Sequence, residues 1–490
     1  MRFVRTWWWL LLPVLTAGLV DGLAVGRAPL WRDETATWQF ASLGWNDLAH
    51  ATDQGDRVLA PYYGVLHLIT LVTHDLVALR LASVLAGVVA VGAVAMIGQR
   101  LWSAAAGCAS GLALAVSGFF VGLSVEARPS VLASAGCAVA TYVLVLAVQR
   151  EQVRTADWVW FTVLSIGAVA MQPFVLLALP AQAALLIGKD RGRVLRFAVT
   201  AVPVVLVAGG LLAMSSGQRG QVSWIPMPST TSVSDSMIKL VGGSLAVTVV
   251  LLALALALAG TLVGRTADPG LALAVGLVVL PVAGLVIGSH IVQPVFVPRY
   301  LTPVPLGVAL LVGAGVHVLG ERLADRRVLA VLVAAVVAVT AFGQLHELER
   351  SYRDPRADDF PTVIRYLNAH LSADAVLVVH QPSPTNGTVA GLVAYADDPG
   401  WRRDHLAALG PGLAGFTWRR VLSTGPLRTT KAGPEDYPRE LWLMTRVNSH
   451  GLIAGLTPLK KRGYRVTSTW QVDGDAVIRL EPKPGGFSRP

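Results

Sequence analysis

Two observations predict a polytopic α-helical membrane protein with a soluble α/β domain at its C-terminal end. Hydrophobic residues make up 54% of the 490-residue chain and charged residues only 14%, with a mean hydropathy of +0.58. A soluble domain of ordinary composition carries about a quarter charged residues. Apolar runs of about 20 residues, each long enough to cross roughly 30 Å of hydrocarbon, recur until just before Glu347 and then stop. From there to Pro490 the chain is charged and contains Pro and Gly. The expected organisation is a membrane domain over 1–346 and a soluble domain over 347–490.

Arg2 and Arg5 precede the first apolar run and keep the N-terminus inside, and the many later spans favour a retained anchor over a cleaved signal. Span 1, Trp7–Leu23, delivers Arg27–Arg57 to the outer face. Val58–Val72 is too short to cross; with Pro61, Tyr62 and Tyr63 at its start it reads as a helix lying at the interface. Spans follow at Leu76–Ile97, Ala104–Phe120 and Val131–Val148. The run Trp158–Gly188 is too long for one span and short for two, but basic residues at both ends favour a hairpin turning outside near Gln172-Pro173. Further spans are expected at Phe197–Met214, up to Arg265, at Leu271–Ile287, up to Glu321 and at Val328–Phe342. That makes about eleven, with the soluble domain outside. Within that domain a helix fits Phe360–Leu371, strands fit Ala375–His380 and Leu441–Met444, and Gly463–Glu481 alternates as a hairpin around Asp473-Gly474-Asp475.

The net charge of +10 would suggest nucleic acid in a soluble protein. Here the basic residues collect in short loops between spans, where they record topology, and no basic stripe with interleaved aromatics occurs, so no nucleic-acid partner is expected. Arg greatly outnumbers Lys, and Ala, Val and Gly abound, which fits a GC-rich bacterium; with the many spans, the expected location is the bacterial plasma membrane. Cys108 and Cys137 fall in apolar segments and read as core. Asp473-Gly474-Asp475 matches a metal-binding D-x-D, but Asp-Gly between alternating runs is a turn signal. His370, His380 and His405 lack ligand spacing, and no glycine-rich nucleotide loop is present. Neither a metal nor another cofactor is expected.

The candidate chemistry lies between the spans. Asp33-Glu34, about ten residues after span 1, fits the acidic first turn of a helix over Glu34–Ser42. It also fits a general base, partly desolvated at the membrane surface, that removes a proton from an attacking hydroxyl. Glu126-Ala127-Arg128-Pro129, between spans 3 and 4, is a structural ion pair or a working one. Arg299, in Pro298-Arg299-Tyr300, has the donor fork suited to phosphate, while Tyr300 suits the interfacial aromatic belt. Arg57 stands just ahead of Pro61-Tyr62-Tyr63 and His67; the histidine alone reads as a packed or capping residue. Trp224 offers a face for a sugar ring or an interfacial anchor.

Taken in order, these motifs carry a resemblance. An Asp-Glu pair after span 1 is followed by Pro61-Tyr62-Tyr63 with Leu66-His67, then Arg80-Leu81-Ala82-Ser83-Val84-Leu85-Ala86-Gly87, Ser124-Val125-Glu126-Ala127-Arg128-Pro129 and Val297-Pro298-Arg299-Tyr300-Leu301. This order resembles the bacterial membrane glycosyltransferases of family 39, of the protein-mannosyltransferase and aminoarabinose-transferase type, over most of the first 300 residues; the C-terminal domain carries no matching motif. The resemblance implies the GT-C fold and transfer of a monosaccharide, mannose or arabinose, from a polyprenyl-phosphate donor at the outer face to a hydroxyl of a glycan, lipid or protein. It implies that Asp33 is the catalytic base, that Glu34 supports it and that Glu126 lines the same cavity. Relatives often hold the donor phosphate with a basic residue just before the Pro-x-Tyr helix. Arg57, four residues ahead of Pro61, is the nearest match, with Arg128 and Arg299 at the same rim. Tyr62, Tyr63, His67, Trp224 and Tyr300 would line the substrate cavity.

Two other classes make different demands. A transporter or lipid flippase places ionisable groups near the bilayer midplane, with broken helices and inverted repeats, whereas this chain shows almost no charge inside its spans. A non-enzymatic envelope-assembly scaffold would leave Asp33 dispensable. The topology is checked by a reporter fused after Pro490: it is expected outside the membrane, and cytoplasmic activity would mean that the span count is off by one.

Overall fold

The structure, a computed structural model, describes residues 2–73, 75–241, 268–323, 358–371, 376–380, 387–395, 406–409, 440–446, 456–461, 463–472 and 475–484, with isolated positions between 243 and 261 and at 334 and 338. The chain divides into two compact units. One comprises Met1–Arg27, Arg57–Val65 and Thr73–Arg350; the other comprises Ala28–Asp56, Leu66–Val72 and Ser351–Pro490. The segment that follows the first span is thus grouped with the C-terminal part of the chain.

The helices come in the order α1 (Arg2–Ala24), α2 (Arg32–Ala41), α3 (Trp45–Gln54), α4 (Ala60–Thr70), α5 (Ala78–Leu101), α6 (Ala104–Ala115), α7 (Gly118–Ser124), α8 (Pro129–Gln149) and α9 (Thr155–Met171). After them come α10 (Leu179–Gln182), α11 (Arg191–Met214), α12 (Thr230–Val241), α13 (Pro269–Ile291) and α14 (Val304–Arg322). Six are long and apolar enough to cross a membrane: Thr6–Ala24 of α1, α5, α8, α11, α13 and α14. The apolar pair α6–α7 is bent by 66° at its break, the geometry of a broken span or a re-entrant loop. The bend has a local cause, because Ser117 caps α7, its hydroxyl accepting the Phe120 N–H at 3.4 Å, so the chain restarts in a new direction.

Among the described residues the count therefore stops short of eleven. The expected hairpin over Trp158–Gly188 is broken at Gln172, giving α9 and then a shorter apolar stretch, Pro173–Leu186, made of two 3-10 turns flanking α10. Val328–Phe342 and most of the span ending at Arg265 lie outside the described residues.

The first unit packs through small residues. A Cβ on Gly107 of α6 would lie 2.5 Å from the Ala95 carbonyl oxygen, and one on Gly313 of α14 would lie 2.0 Å from Ser110 Oγ. Backbones therefore approach closely across α5, α6 and α14, as expected where association rests on packing and not on the exclusion of water. Its core runs through Ala90, Val94, Leu114, Ala138, Leu144 and Leu310. On α11, by contrast, Leu195, Val199, Val202 and Leu206 are exposed, the face a helix turns to lipid.

Several polar contacts in this unit sit at the helix ends, while Gln182 Nε2 donates to the Thr141 hydroxyl at 2.9 Å within the bundle. At one end Trp102 Nε1 donates to Asp268 at 2.8 Å, and Arg193 reaches the Arg150 carbonyl at 2.6 Å. There Asp190 caps α11, accepting the Arg193 N–H at 3.0 Å; that bond, and the guanidinium of the same residue, hold the Asp190 carboxyl below the usual range.

In the second unit α15 (Phe360–His370) starts at Asp359, which accepts the Thr362 N–H at 3.1 Å; α16 (Thr388–Tyr395) and α17 (Leu456–Lys461) follow. Five strands form a mixed sheet: β1 (Val376–His380), β2 (Leu406–Leu409), β3 (Leu441–Arg446), β4 (Tyr464–Val472) and β5 (Asp475–Pro482), in the order β2-β1-β3-β5-β4. β1 is parallel to β2 and β3, and β5 is antiparallel to β3 and β4. Leu441, Leu443, Leu459, Tyr464, Ile478 and Leu480 close the core on it. Val472 pairs with Asp475 at the end of the β4–β5 ladder, and Asp473-Gly474, the expected turn, lies outside the described residues. A Gly313→Val change should force α14 away from α6 at a cost of about 1–3 kcal/mol. It should lower the apparent melting temperature in detergent, and an unchanged melt would show that the approach is not tight.

Candidate active site

The acidic pair occupies the first turn of α2. Trp31 is extended (φ −87°, ψ 173°) and the helix begins at Arg32, two residues earlier than Glu34. First-turn amides have no partner within the helix and carry the positive end of its dipole, so acids are favoured here. The two acids nevertheless differ. Glu34 is fully buried and its Oε2 accepts the Trp31 N–H at 3.3 Å, which holds the entry to the helix. Asp33 is half-buried and keeps access to solvent; its carbonyl accepts the Thr37 hydroxyl at 2.8 Å.

α2 is anchored at both ends. Arg32 is buried, with Nε 3.0 Å from Asp358 Oδ1, its backbone N–H donating to Asp358 Oδ2 at 2.8 Å and Nη2 donating to Asp475 Oδ1. The Leu30 N–H donates to the Tyr395 hydroxyl at 2.7 Å, and the Thr35 hydroxyl reaches the Gly387 carbonyl at 2.8 Å. A Cβ at position 387 would fall 1.9 Å from the Arg32 carbonyl oxygen, so only glycine fits there. At the far end of α2 the Ala41 carbonyl takes His67 Nδ1 and the Thr70 hydroxyl, both at 2.8 Å. His67 is buried, with Trp45 edge-on at 4.4 Å, and so terminates α2.

The other candidates sit in the first unit, at the end of the bundle opposite Arg150 and Arg193. Arg128 precedes α8, its N–H donating to the Glu126 carbonyl at 2.8 Å. Two residues on, Ser130 donates to the Arg299 carbonyl at 3.2 Å, and Ser134 donates to that of Thr302 at 3.1 Å, so the first turns of α8 fix the Pro298–Tyr300 turn. The Arg299 guanidinium lies 5.6 Å from the Trp224 ring and 5.8 Å from the Tyr300 ring. Tyr300 in turn meets Phe174 at 5.2 Å. Arg57 is tied to the end of α11, its N–H donating to Gln218 at 2.9 Å and its guanidinium to the Met214 carbonyl at 3.2 Å. Tyr62 and Tyr63 are fully buried. The structure thus brings Arg299, Trp224 and Tyr300 together and ties Arg128 to the same turn through α8.

Three further residues had no role assigned from the sequence. Asp21 lies inside α1 with 2% exposure, hydrogen-bonded to Ser124 at the end of α7. Arg80, buried at the start of α5, donates to the Val25 carbonyl at 2.8 Å. These correct the expectation of nearly charge-free spans. An acid inside the apolar run of span 1 is itself a signal, since a carboxylate there needs a partner. Arg32 gave none, because its partners are remote in sequence. Among the described residues no three His, Cys, Asp or Glu side chains gather closely enough to hold a metal ion.

Residues 61–216 match the family model described as dolichyl-phosphate-mannose-protein mannosyltransferase. No curated protein matches the chain in sequence. Among solved structures, ArnT from Cupriavidus metallidurans bound to undecaprenyl phosphate is similar over 96% of this chain and 98% of that one, with a TM-score of 0.58 at 14% identity. The oligosaccharyltransferase AglB from Archaeoglobus fulgidus, in complex with an inhibitory peptide and a dolichol-phosphate, gives 0.51 at 9% identity over 99% of this chain and 75% of that one. The arabinofuranosyltransferase AftD from Mycobacteria also gives 0.51, at 14% identity, with this chain spanning 41% of its length. The chain has the fold of the GT-C membrane glycosyltransferases of the ArnT type and carries, over residues 61–216, the sequence pattern of the dolichyl-phosphate-mannose-protein mannosyltransferase family.

Proposed function

We propose that this protein transfers a monosaccharide, of the mannose or arabinose class, from a polyprenyl-phosphate donor to an acceptor hydroxyl at the outer face of a bacterial plasma membrane. Asp33 carries the reading. It stands on the first turn of α2 with access to solvent, while its neighbour Glu34 is sealed and engaged by the Trp31 amide. Glu34 holds the entry to the helix, and the half-buried Asp33 beside it is the acid that solvent reaches.

The step is a single displacement. The acceptor oxygen attacks the anomeric carbon, its proton passes to Asp33, and the bond from that carbon to the phosphate oxygen breaks with its electron pair leaving on the phosphate. The configuration at the anomeric carbon inverts. Charge accumulates on the leaving phosphate, and guanidinium groups aimed at it lower the barrier. Arg57, Arg128 and Arg299 are the candidates, with Glu126 beside Arg128. Contact with Trp224 and Tyr300 limits the rotamers open to Arg299, so less freedom is lost when phosphate binds. The donor brings its own leaving group, so neither a nucleotide loop nor a bound metal is needed in this scheme. The acceptor is a glycan, lipid or protein, and the C-terminal domain lies outside the membrane.

Asp33→Asn should lower transfer by about 10²–10⁴-fold, the usual contribution of a positioned base, with the protein still folded; retained turnover would sink the assignment. Arg299→Ala should raise the donor KM more than the acceptor KM. An unchanged donor KM would remove Arg299 from the phosphate site.

A further inference from the structure

The C-terminal domain has no assigned part in this chemistry, and the sequence offers acceptor binding only as a guess. Its described residues supply something more definite. Arg32 is the residue immediately before Asp33, and it is held by Asp358, ahead of α15, and by Asp475, at the first position of β5. Asp358 engages both the side chain and the backbone N–H of Arg32, which fixes position as well as charge. Tyr395 and Gly387 take hold on either side, at Leu30 and Thr35. Every one of these partners lies in the last 133 residues of the 490-residue chain.

A buried ion cluster is a poor way to gain stability, because the desolvation of three charges offsets most of their attraction and apolar side chains of equal volume do as well. What a guanidinium between two carboxylates supplies is direction, since its planar fork accepts partners in few orientations. The partners themselves are rigid. Asp475 starts a central strand paired on both sides, with β3 and β4, and Asp358 adjoins the Asp359 cap of α15.

Resting on the reading of Asp33 as the base, we propose that Arg32 is a positioning residue for it, and that the C-terminal domain, through Asp358 and Asp475, is the rigid support that sets where the base points. The domain is then part of the transferase machinery whatever else it binds. Phosphate contacts come from other residues, so loosening this support should lower kcat and leave the donor KM in place.

The test uses the full-length protein in lipid nanodiscs, with polyprenyl-phosphate mannose and polyprenyl-phosphate arabinose as donor probes, the one that wild type turns over being used for kinetics. Amide hydrogen exchange is measured over α2 and over β3 and β5. Asp475→Asn should lower kcat by about tenfold or more with less than about a twofold change in donor KM, the pattern expected when a catalytic group is misplaced. α2 should exchange faster while β3 and β5 stay protected, and Arg32→Lys should fall between this variant and wild type.

A double change, Arg32→Met with Asp475→Leu, removes one charge of each sign and leaves Asp358 with the backbone N–H of residue 32; with its fold checked by the protection of β3 and β5, it should stay as slow as Asp475→Asn. Full turnover by the double variant, or unchanged exchange of α2 in Asp475→Asn, would overturn the inference. Asp33→Asn is run alongside. If it is inactive while the double variant is fully active, this inference alone fails; if it turns over normally, the base assignment fails and this inference with it.

Discussion

A peptide group cannot be left unpaired in hydrocarbon, and the first unit is organised by that constraint. Helices long enough to cross satisfy their own backbone, so sequence variety is spent on packing and on the helix ends. Packing uses glycine and alanine, as where Gly107 meets the Ala95 carbonyl and Gly313 meets Ser110. Polar residues are driven to the two ends of the bundle. One end holds the pairs Trp102–Asp268, Arg150–Asp157 and Arg193–Asp190. The other gathers Arg57, Arg128, Arg299 and the aromatic faces of Trp224 and Tyr300. Two buried charged residues within helices, Asp21 and Arg80, are each hydrogen-bonded to a neighbour, at Ser124 and the Val25 carbonyl.

The acidic helix obeys different physics. It is short, and a ten-residue helix is not stable by itself in water. Its first turn is favoured by two acids, its far end is closed by His67 and Thr70, and its entry is gripped through Arg32. Glu34 serves the backbone. Asp33 therefore has a fixed backbone beneath a side chain that still meets solvent, the condition a general base requires.

How much was legible follows from the range of each signal. A run of about 20 apolar residues is a local pattern, so α1, α5, α8, α11, α13 and α14 fall close to their expected positions. The break at Gln172 was foreseen as a turn, whereas the 66° bend at Ser117 was not, since a single serine in an apolar run hardly alters the hydropathy. β1, β3 and the β4–β5 hairpin were visible in alternation and in Asp473-Gly474. β2, four residues long, was not. Asp475 shows the limit most plainly. As a turn residue it was readable, but its bond to Arg32 spans 443 positions, and nothing local encodes it. Likewise Arg299 could be placed at a helix end, while its lodging against Trp224 emerged only from the fold. His67 was read as packed or capping, and it lies against the Ala41 carbonyl at the end of α2.

The most direct test of lipid-linked transfer at the end that carries Arg57, Arg128 and Arg299 is a structure of the full chain with undecaprenyl phosphate. The predicted result is a phosphate oxygen within hydrogen-bond reach of at least one of those three guanidinium groups. A phosphate bound instead at the opposite end, among Arg100, Arg150 and Arg193, would contradict it.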